Sequence, residues 1–187
     1  MDASALLHDF IIHIRDERRF SPRSVGAYQR DIAALLGFLT DHLGAPARSE
    51  DLAKLEPRDL RAYLAFRREG PDALSDRSIA RALAAIRTFF RFLDRRKGIA
   101  NARLALVRGP RLKRLLPRPL SEAGATDLIA AAESEAALPW IAARDTAVMA
   151  LLYGCGLRIG EAIGLDRGVL PLGETLRVLG KGRKQRV

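Results

Sequence analysis

The chain of 187 residues is 48% hydrophobic and 6% aromatic, which suits one large or two small domains with a helical core rich in alanine and leucine. Its 32 basic and 22 acidic residues give a formal net charge of +10, which indicates a polyanionic partner, with nucleic acid the first candidate. No apolar run is long enough to span a bilayer, and the acidic, then amphipathic N-terminus is unlike a signal peptide, so we expect a cytoplasmic protein without a membrane partner.

Most of the basic residues, 27 of 32, are arginines, and arginine binds phosphate through a planar fork of N–H groups. Arginine enrichment also follows from GC-rich coding, so composition alone does not establish a DNA partner. The single Cys155 excludes an internal disulfide framework, and we expect it to be a small buried residue near a turn. The three histidines lie in separate contexts, so no metal site is predicted.

Apolar residues at helical spacing predict four helices in the first 97 residues. Their predicted ranges are 4–17, 22–44, 57–70 and 75–97, with a loop over 45–56. Ser21 and Ser75 are good N-caps, and Pro22 suits a first helical position because its missing N–H is not needed there. Gly44 is a typical helix C-terminal signal. Helices of these lengths predict a compact bundle.

The fourth predicted helix has two unlike faces when its residues are placed 100° apart. The apolar face consists of Ile79, Leu83, Ile86, Phe89, Phe90 and Leu93. Arginines cluster on the opposite face, namely Arg77, Arg81, Arg87, Arg91 and Arg95. One interpretation is an ordinary solvated face, but such faces usually mix the two signs of charge. We therefore predict a contact with the DNA backbone, which positions a protein without reading sequence.

Residues 98–120 differ in character from the helices before them. Three prolines argue against a long helix, and a high density of basic residues argues against burial. The basic residues are Arg103, Arg108, Arg111, Lys113, Arg114 and Arg118. We predict an interdomain linker that lies along phosphates, with a simple solvated tether as the alternative.

The remaining residues, 121–187, are predicted to form helices followed by a hairpin. Ser121 is a candidate N-cap, and Pro139 begins the next helix. Residues 175–179 alternate apolar and polar side chains as a strand does, and Gly180-Lys-Gly182 predicts a turn into a return strand.

A corner over residues 151–165 organises this second part. The helix from Pro139 breaks at Gly154 and Gly156, and a short helix then begins at Arg158 with Glu161 one turn on. Unpaired backbone N–H groups beside a guanidinium would bind an anionic oxygen, especially that of a phosphate. An ordinary helix corner with a solvated arginine is the alternative interpretation.

Four segments in this order resemble the tyrosine recombinases of the phage-integrase superfamily, and the Xer group in particular. They are Ser21-Pro-Arg-Ser-Val-Gly-Ala-Tyr-Gln-Arg-Asp31, Arg118-Pro-Leu-Ser-Glu122, Gly156-Leu-Arg-Ile-Gly-Glu161 and Gly180-Lys-Gly-Arg-Lys-Gln-Arg186. The resemblance implies a mainly α protein in three parts. Residues 1–97 would be a four-helix SAM-like core-binding domain that clamps DNA, 98–120 a basic linker, and 121–187 the start of an α+β catalytic domain with an incomplete antiparallel sheet.

The resemblance also implies roles for particular residues. Arg158 matches the first catalytic arginine, and Lys181 matches a hairpin lysine that donates a proton to the leaving 5′-oxygen. Glu161 matches an acidic position that supports the site, although it is equally well explained as a first-turn acid of the short helix. The predicted DNA contacts beyond the fourth helix are Arg108, Arg111, Lys113, Arg114, Arg183 and Lys184.

The implied activity is site-specific recombination, as in chromosome dimer resolution, through a 3′-phosphotyrosyl intermediate and a Holliday junction. It requires neither a metal nor a nucleotide cofactor. The implied partners are double-stranded DNA and a second recombinase subunit, a homologous copy or an XerD-like one, in a tetrameric synaptic complex.

The nucleophile of the family lies beyond residue 187, and Tyr28, Tyr63 and Tyr153 all fall at helical positions interpreted as packing. We therefore expect a truncated recombinase that binds DNA but does not cleave it. Two alternatives remain open: an integrase of a phage, transposon or integron from the same family, and a noncatalytic DNA-binding architectural protein.

Overall fold

The computed structural model describes residues 1–69, 73–112, 116, 118–169, 173–180 and 185–187. The chain divides into two compact units, Met1–Arg114 and Leu115–Val187. The α-helices of the first unit are α1 (Ala3–Ile12), α2 (Pro22–Leu43), α3 (Ser49–Lys54), α4 (Pro57–Glu69) and α5 (Asp76–Lys97). Those of the second unit are α6 (Glu122–Ser134), α7 (Pro139–Gly154) and α8 (Ile159–Ala162). The mainly helical architecture predicted from the sequence is confirmed.

The predicted helix boundaries are confirmed where the sequence supplies a capping side chain. The Ser21 hydroxyl accepts a hydrogen bond from the Ser24 N–H (3.2 Å), and Ser75 and Ser121 cap α5 and α6 in the same way. Gly44 ends α2 with a φ of 71°, a left-handed conformation in which glycine carries no steric penalty. Each boundary is thus fixed by local chemistry that is visible in the sequence.

The first predicted helix does not stay α-helical to its end. After α1 the chain widens into a π-helical turn over His13–Glu17, which the Arg18 N–H closes by donating to the His13 carbonyl (3.0 Å). Arg19 then takes a φ of 51°. Few non-glycine residues adopt this conformation, so the end of α1 is a local departure from regular geometry.

The predicted loop over 45–56 is wrong in part, because it contains the short helix α3. The Asp51 carboxylate accepts a hydrogen bond from the Arg48 N–H (2.8 Å), which caps the first turn. Leu52 is fully buried in the core of the first unit. A helix of six residues has too few apolar positions to produce a periodic pattern, and packing of Leu52 on the core adds stability that so short a helix lacks by itself.

The core of the first unit forms around the apolar face of α5. All six predicted residues of that face are buried, each at most 6% exposed. Phe89 packs edge-on against Phe10 of α1, with ring centroids 5.2 Å apart. Aromatic pairs in this arrangement add about 0.5–1.5 kcal/mol beyond their area burial.

The first unit extends past the predicted end of the bundle at residue 97. Residues Ala102–Leu106 form a 3₁₀ turn, and Leu104 and Val107 are buried in the same core as the helices. The Asn101 side-chain amide donates to the Leu52 and Leu55 carbonyls (3.0 and 2.8 Å). The first part of the predicted linker is therefore packed rather than solvated, because its apolar residues and not its charges decide its position.

The second unit has a smaller described core, formed by Leu157, Ala162 and Val178 with partly buried neighbours. The strands β1 (Val178–Leu179) and β2 (Gln185–Arg186) pair antiparallel, with Val178 opposite Arg186. The observed strand β1 is shorter than the predicted range of 175–179. Cys155 is exposed, which contradicts its expected burial.

No described helix is long and apolar enough to cross a bilayer.

Helix α7, which leads to the corner, has no buried residue in the described structure. Tyr153 near its end, which we interpreted as packing, is 54% exposed.

Tyr63 provides a test of the core of the first unit. Its ring is fully buried and its hydroxyl donates to the Asp31 carbonyl (3.3 Å), and burial raises the pKa of this phenol. The protonated form is therefore favoured by folding, and its contribution is complete below the unfolded pKa of about 10 and lost as pH rises above it. We expect the urea midpoint to fall more steeply between pH 9 and 11 in the wild type than in the Tyr63→Phe variant. Parallel curves would contradict this expectation.

Candidate nucleic-acid interface and catalytic residues

The predicted arginine face of α5 is exposed, but its members do not share one environment. Arg77, Arg91 and Arg95 are exposed to solvent. Arg91 also donates to the Thr88 hydroxyl (3.1 Å) on its own helix. These three side chains keep most of their N–H groups for an external acceptor.

Arg81 forms a bidentate ion pair with Asp31 of α2. Its Nε and Nη2 donate to the two carboxylate oxygens at 3.1 and 3.0 Å. The Asp31 side chain is only 5% exposed, whereas that of Arg81 is 45% exposed. Hydrogen bonding to Asp31 raises the pKa of Arg81, so the guanidinium remains charged and held. This arginine therefore neutralises a buried carboxylate, a role that the sequence analysis did not assign to it.

Asp31 itself could have been recognised from the sequence. It falls on the core side of α2, four residues before the fully buried Leu35. A carboxylate on an apolar helix face indicates a buried ion pair, because an unpaired buried charge is too costly. Only the tertiary structure identifies its partner, 50 residues further along the chain.

Arg87 has a structural contact as well. Its Nη2 donates to the Val107 carbonyl (2.7 Å), so it fastens the segment after the 3₁₀ turn to α5. Arg108 and Arg111 follow this segment and are exposed. Lys113 and Arg114, which we also predicted to contact DNA, lie outside the described residues.

The corner before α8 has the predicted break and short helix, but the Arg158 backbone N–H is paired with Glu161, where the sequence predicted unpaired N–H groups. The Cys155 and Leu157 N–H groups both donate to the Leu151 carbonyl (3.2 and 3.4 Å), which closes the last turn of α7. Gly156 has a φ of 60° and turns the chain. Arg158 then takes an extended conformation at the N-cap position of α8.

Glu161 holds Arg158 through both of its carboxylate oxygens. One accepts from the Arg158 backbone N–H (2.8 Å) and the other from Nη1 of the guanidinium (2.9 Å). The Glu161 side chain is 7% exposed and that of Arg158 is 65% exposed. Glu161 is thus both a first-turn acid and an orienting partner, so the two interpretations left open by the sequence describe one contact.

The corner shares its core with the strand that leads to the predicted hairpin. Leu157, which precedes Arg158, belongs to the same buried cluster as Val178 of β1. Gly164 keeps this region compact, because a Cβ there would lie 2.9 Å from the Gly160 carbonyl oxygen. The predicted site residues Lys181, Arg183 and Lys184 follow β1 but lie outside the described residues.

The described residues contain no group of three or more His, Cys, Asp or Glu side chains arranged to hold a metal ion. The corner itself presents a held guanidinium, which donates several N–H groups from one rigid plane. This arrangement suits a tetrahedral oxyanion such as a phosphate.

The first unit is similar to a known family of domains. Residues 7–97 match the family described as phage integrase, N-terminal SAM-like domain. The chain as a whole is similar to tyrosine recombinases XerC, which are 39–47% identical to it over nearly its full length. The Xer resemblance inferred from the four motifs is confirmed.

Three relatives illustrate the extent of the similarity. The tyrosine recombinase XerC of Rhizobium meliloti (strain 1021) is 44% identical over 95% of this chain and 56% of the relative. The XerC of Mesorhizobium japonicum is 43% identical over 100% of this chain and 60% of the relative. The XerC of Methylobacterium nodulans is 47% identical over 93% of this chain and 54% of the relative. The crystal structure of XerA recombinase aligns with 98% of this chain and 57% of that chain, at 24% identity and a TM-score of 0.44. The chain spans between half and two thirds of the length of the XerC relatives.

Proposed function

We propose that this chain supplies the DNA-clamping domain and the first part of the catalytic domain of a cytoplasmic, XerC-type site-specific recombinase. In this proposal 1–97 is the clamp and 121–187 the catalytic part; within the linker of 98–120, the residues up to Val107 pack on the clamp. The observation that carries the proposal is the Arg158 corner, where an exposed guanidinium is held by a nearly buried carboxylate. The corner shares a hydrophobic cluster with β1, the strand that leads to Lys181.

The proposed reaction is attack of a tyrosine hydroxyl on a DNA phosphate. The tyrosine hydroxyl loses its proton to solvent as its oxygen bonds to phosphorus and forms the 3′-phosphotyrosyl link. The bond between phosphorus and the 5′-oxygen breaks, and that oxygen leaves with a proton donated by Lys181. Arg158 would bind the nonbridging oxygens as negative charge grows in the transition state. In this proposal the nucleophile is none of Tyr28, Tyr63 and Tyr153, so these 187 residues alone would bind DNA without cleaving it.

The proposed partners are duplex DNA and a second recombinase subunit, a homologous copy or an XerD-like one, in a tetrameric synapse that resolves chromosome dimers. The XerC relatives favour this assignment over an integrase of a mobile element. A noncatalytic DNA-binding role differs in one measurable respect. The test joins this chain to the remaining part of a XerC relative. Under our proposal this chimera would form a covalent adduct on a nicked suicide substrate, and under the alternative it would form none.

DNA binding by the α5 face predicts a strong dependence on salt. If the chain covers about six phosphates, the logarithm of its affinity should fall with the logarithm of the salt concentration at a slope of roughly −5. Arg91→Glu should make the slope shallower by about one and weaken binding to all sequences alike, because backbone contacts carry no sequence information. Fluorescence anisotropy with two unrelated duplexes measures both quantities.

Arg61→Glu is the matched control, because Arg61 is an exposed arginine of α4 and the substitution changes the net charge equally. It should leave the slope unchanged. Equal losses of DNA affinity in Arg91→Glu and Arg61→Glu would mean that total charge, and not the α5 face, determines binding. A flat salt response of the wild type would remove the proposed DNA contact altogether.

A further inference from the structure

A hollow of about 330 Å³ lies between the end of α1 and the C-terminal half of α5, within the first unit. Its floor is apolar and includes Phe10 and Ile14, which are fully buried, and Phe92. Its rim is cationic, because its lining residues include Arg18, Arg91, Arg95 and Arg96. Arg91 and Arg95 belong to the predicted arginine face of α5, whereas Arg18 follows the first predicted helix.

The charges of the rim do not cancel. Glu17 is the carboxylate in the lining, and it is committed to Arg96, with which it forms an ion pair, and to His13, whose Nδ1 lies 3.0 Å away. Arg91 uses one N–H group on the Thr88 hydroxyl. Within the described ranges, Arg18 and Arg95 form no side-chain hydrogen bond or ion pair. Three guanidinium groups of the lining are therefore left without a counter-ion in this part of the structure.

The position of Arg18 follows from the irregular end of α1. The π-helical turn over His13–Glu17 inserts an extra residue into the last turn, and Arg18 closes it through its backbone N–H. The turn is held from the side by the His13 ring, which packs on Phe92 with centroids 5.1 Å apart. A regular α-helix would carry residue 18 to a different angle about the helix axis, so the local geometry brings this arginine to the rim.

We propose that this hollow is a phosphodiester-binding pocket that takes one phosphate group of the DNA backbone. Several arginines around one small hollow offer the paired N–H donors that the oxygens of a phosphate accept. The pocket shares Arg91 and Arg95 with the exposed face of α5, so a sugar–phosphate backbone that follows that face continues into it. The inference rests on the proposed function, and it extends the predicted DNA contact from α5 to the end of α1.

The test uses the complete 187-residue chain with arginine side chains labelled with ¹⁵N, and a duplex of about 30 base pairs as the probe. On addition of the duplex, the Nε–H signals of Arg18 and Arg95 should shift, whereas that of Arg15 should not. Arg15 is the matched control because it lies in the same turn, is 58% exposed and is already paired with Asp16 at 2.8 Å. Its hydrogen bond to Asp16 also raises the pKa of this guanidinium, so it stays charged.

Salt titrations of variants supply the second readout. Arg18→Ala should make the salt slope shallower by about one, Arg18→Lys should restore most of that loss, and Arg15→Ala should leave the slope unchanged. If the Nε–H signals of Arg18 and Arg95 did not shift and Arg18→Ala kept the wild-type salt slope, the proposed phosphate pocket would be contradicted. If Arg91→Glu still weakened binding in that case, the proposed function would stand. If Arg18→Ala failed to fold, the wild-type signals would decide alone.

Discussion

Replacing Arg158 with alanine is expected to slow the formation of the covalent protein–DNA complex by about 10²–10³-fold, the usual cost of removing one preorganised oxyanion donor. The measurement needs a complete catalytic domain. We would use a chimera in which this chain replaces the matching residues of the Rhizobium meliloti XerC. The rate on a nicked suicide substrate is read from the accumulation of the phosphotyrosyl adduct.

The structure explains why this loss should appear in the rate and not in folding. The guanidinium is 65% exposed, and the Glu161 carboxylate, which is 7% exposed, loses only one of its donors when that guanidinium is removed. The backbone N–H of residue 158 still donates to Glu161 in the alanine variant, so the cap of α8 is retained. Arg158→Lys should recover little activity, because an ammonium group lacks the planar fork.

Arg167→Ala is the control for this experiment, since Arg167 is an exposed arginine of the same unit in the 3₁₀ turn after α8. It should keep the wild-type rate. An Arg158→Ala chimera that also kept the wild-type rate would contradict the assignment of Arg158. A chimera in which both variants lost activity equally would indicate a nonspecific effect of charge.

Replacing Arg81 with methionine is expected to lower the free energy of unfolding of the first unit by about 3 kcal/mol. The substitution keeps the length of the side chain but leaves the Asp31 carboxylate, 5% exposed, without its bidentate partner. Removing one member of a buried pair costs about 3–5 kcal/mol, and the lower end applies because Arg81 is itself nearly half exposed. Urea denaturation followed by circular dichroism measures the difference.

The loss of stability should be larger in Arg81→Met than in Asp31→Asn, and this order is a sharper prediction than either value. Asp31→Asn leaves a guanidinium that water can reach, so it should cost only about 1 kcal/mol. The double variant should be less destabilised than Arg81→Met, because no buried charge then remains unpaired. A stable Arg81→Met protein with a shallower salt slope would show instead that this arginine acts as a phosphate contact, as the sequence alone predicted.

The elements that the sequence predicted well are those set by neighbouring residues. The serine caps of α2, α5 and α6, the left-handed Gly44 and the two faces of α5 all depend on contacts within a few residues or on helical periodicity. The corner at Arg158 and its contact with Glu161 are also local, because the two residues are three apart. The order of residues along the chain is therefore enough to predict these caps, helix faces and the corner.

The errors arise where long-range packing overrides the local signal. Helix α3 forms because Leu52 is buried against distant residues, and residues 102–107 leave the predicted linker because Leu104 and Val107 enter the same core. A prediction from charge density treated this segment as solvated, but two apolar side chains outweigh exposed arginines, whose charged ends stay in water wherever the backbone lies.

The sequence by itself determined a basic, mainly helical chain with Xer-type motifs, a helix with an apolar and an arginine face, and a helix corner that presents Arg158. These properties follow from periodicity, capping and spacing, which act over a few residues. The tertiary structure alone decided what each arginine contacts: Arg81 neutralises buried Asp31, Arg87 holds the Val107 carbonyl, and Arg18 joins Arg95 at one pocket. The physical reason is that residue type alone fixes the charge of a side chain, whereas packing between elements tens of residues apart decides which counter-ion it meets.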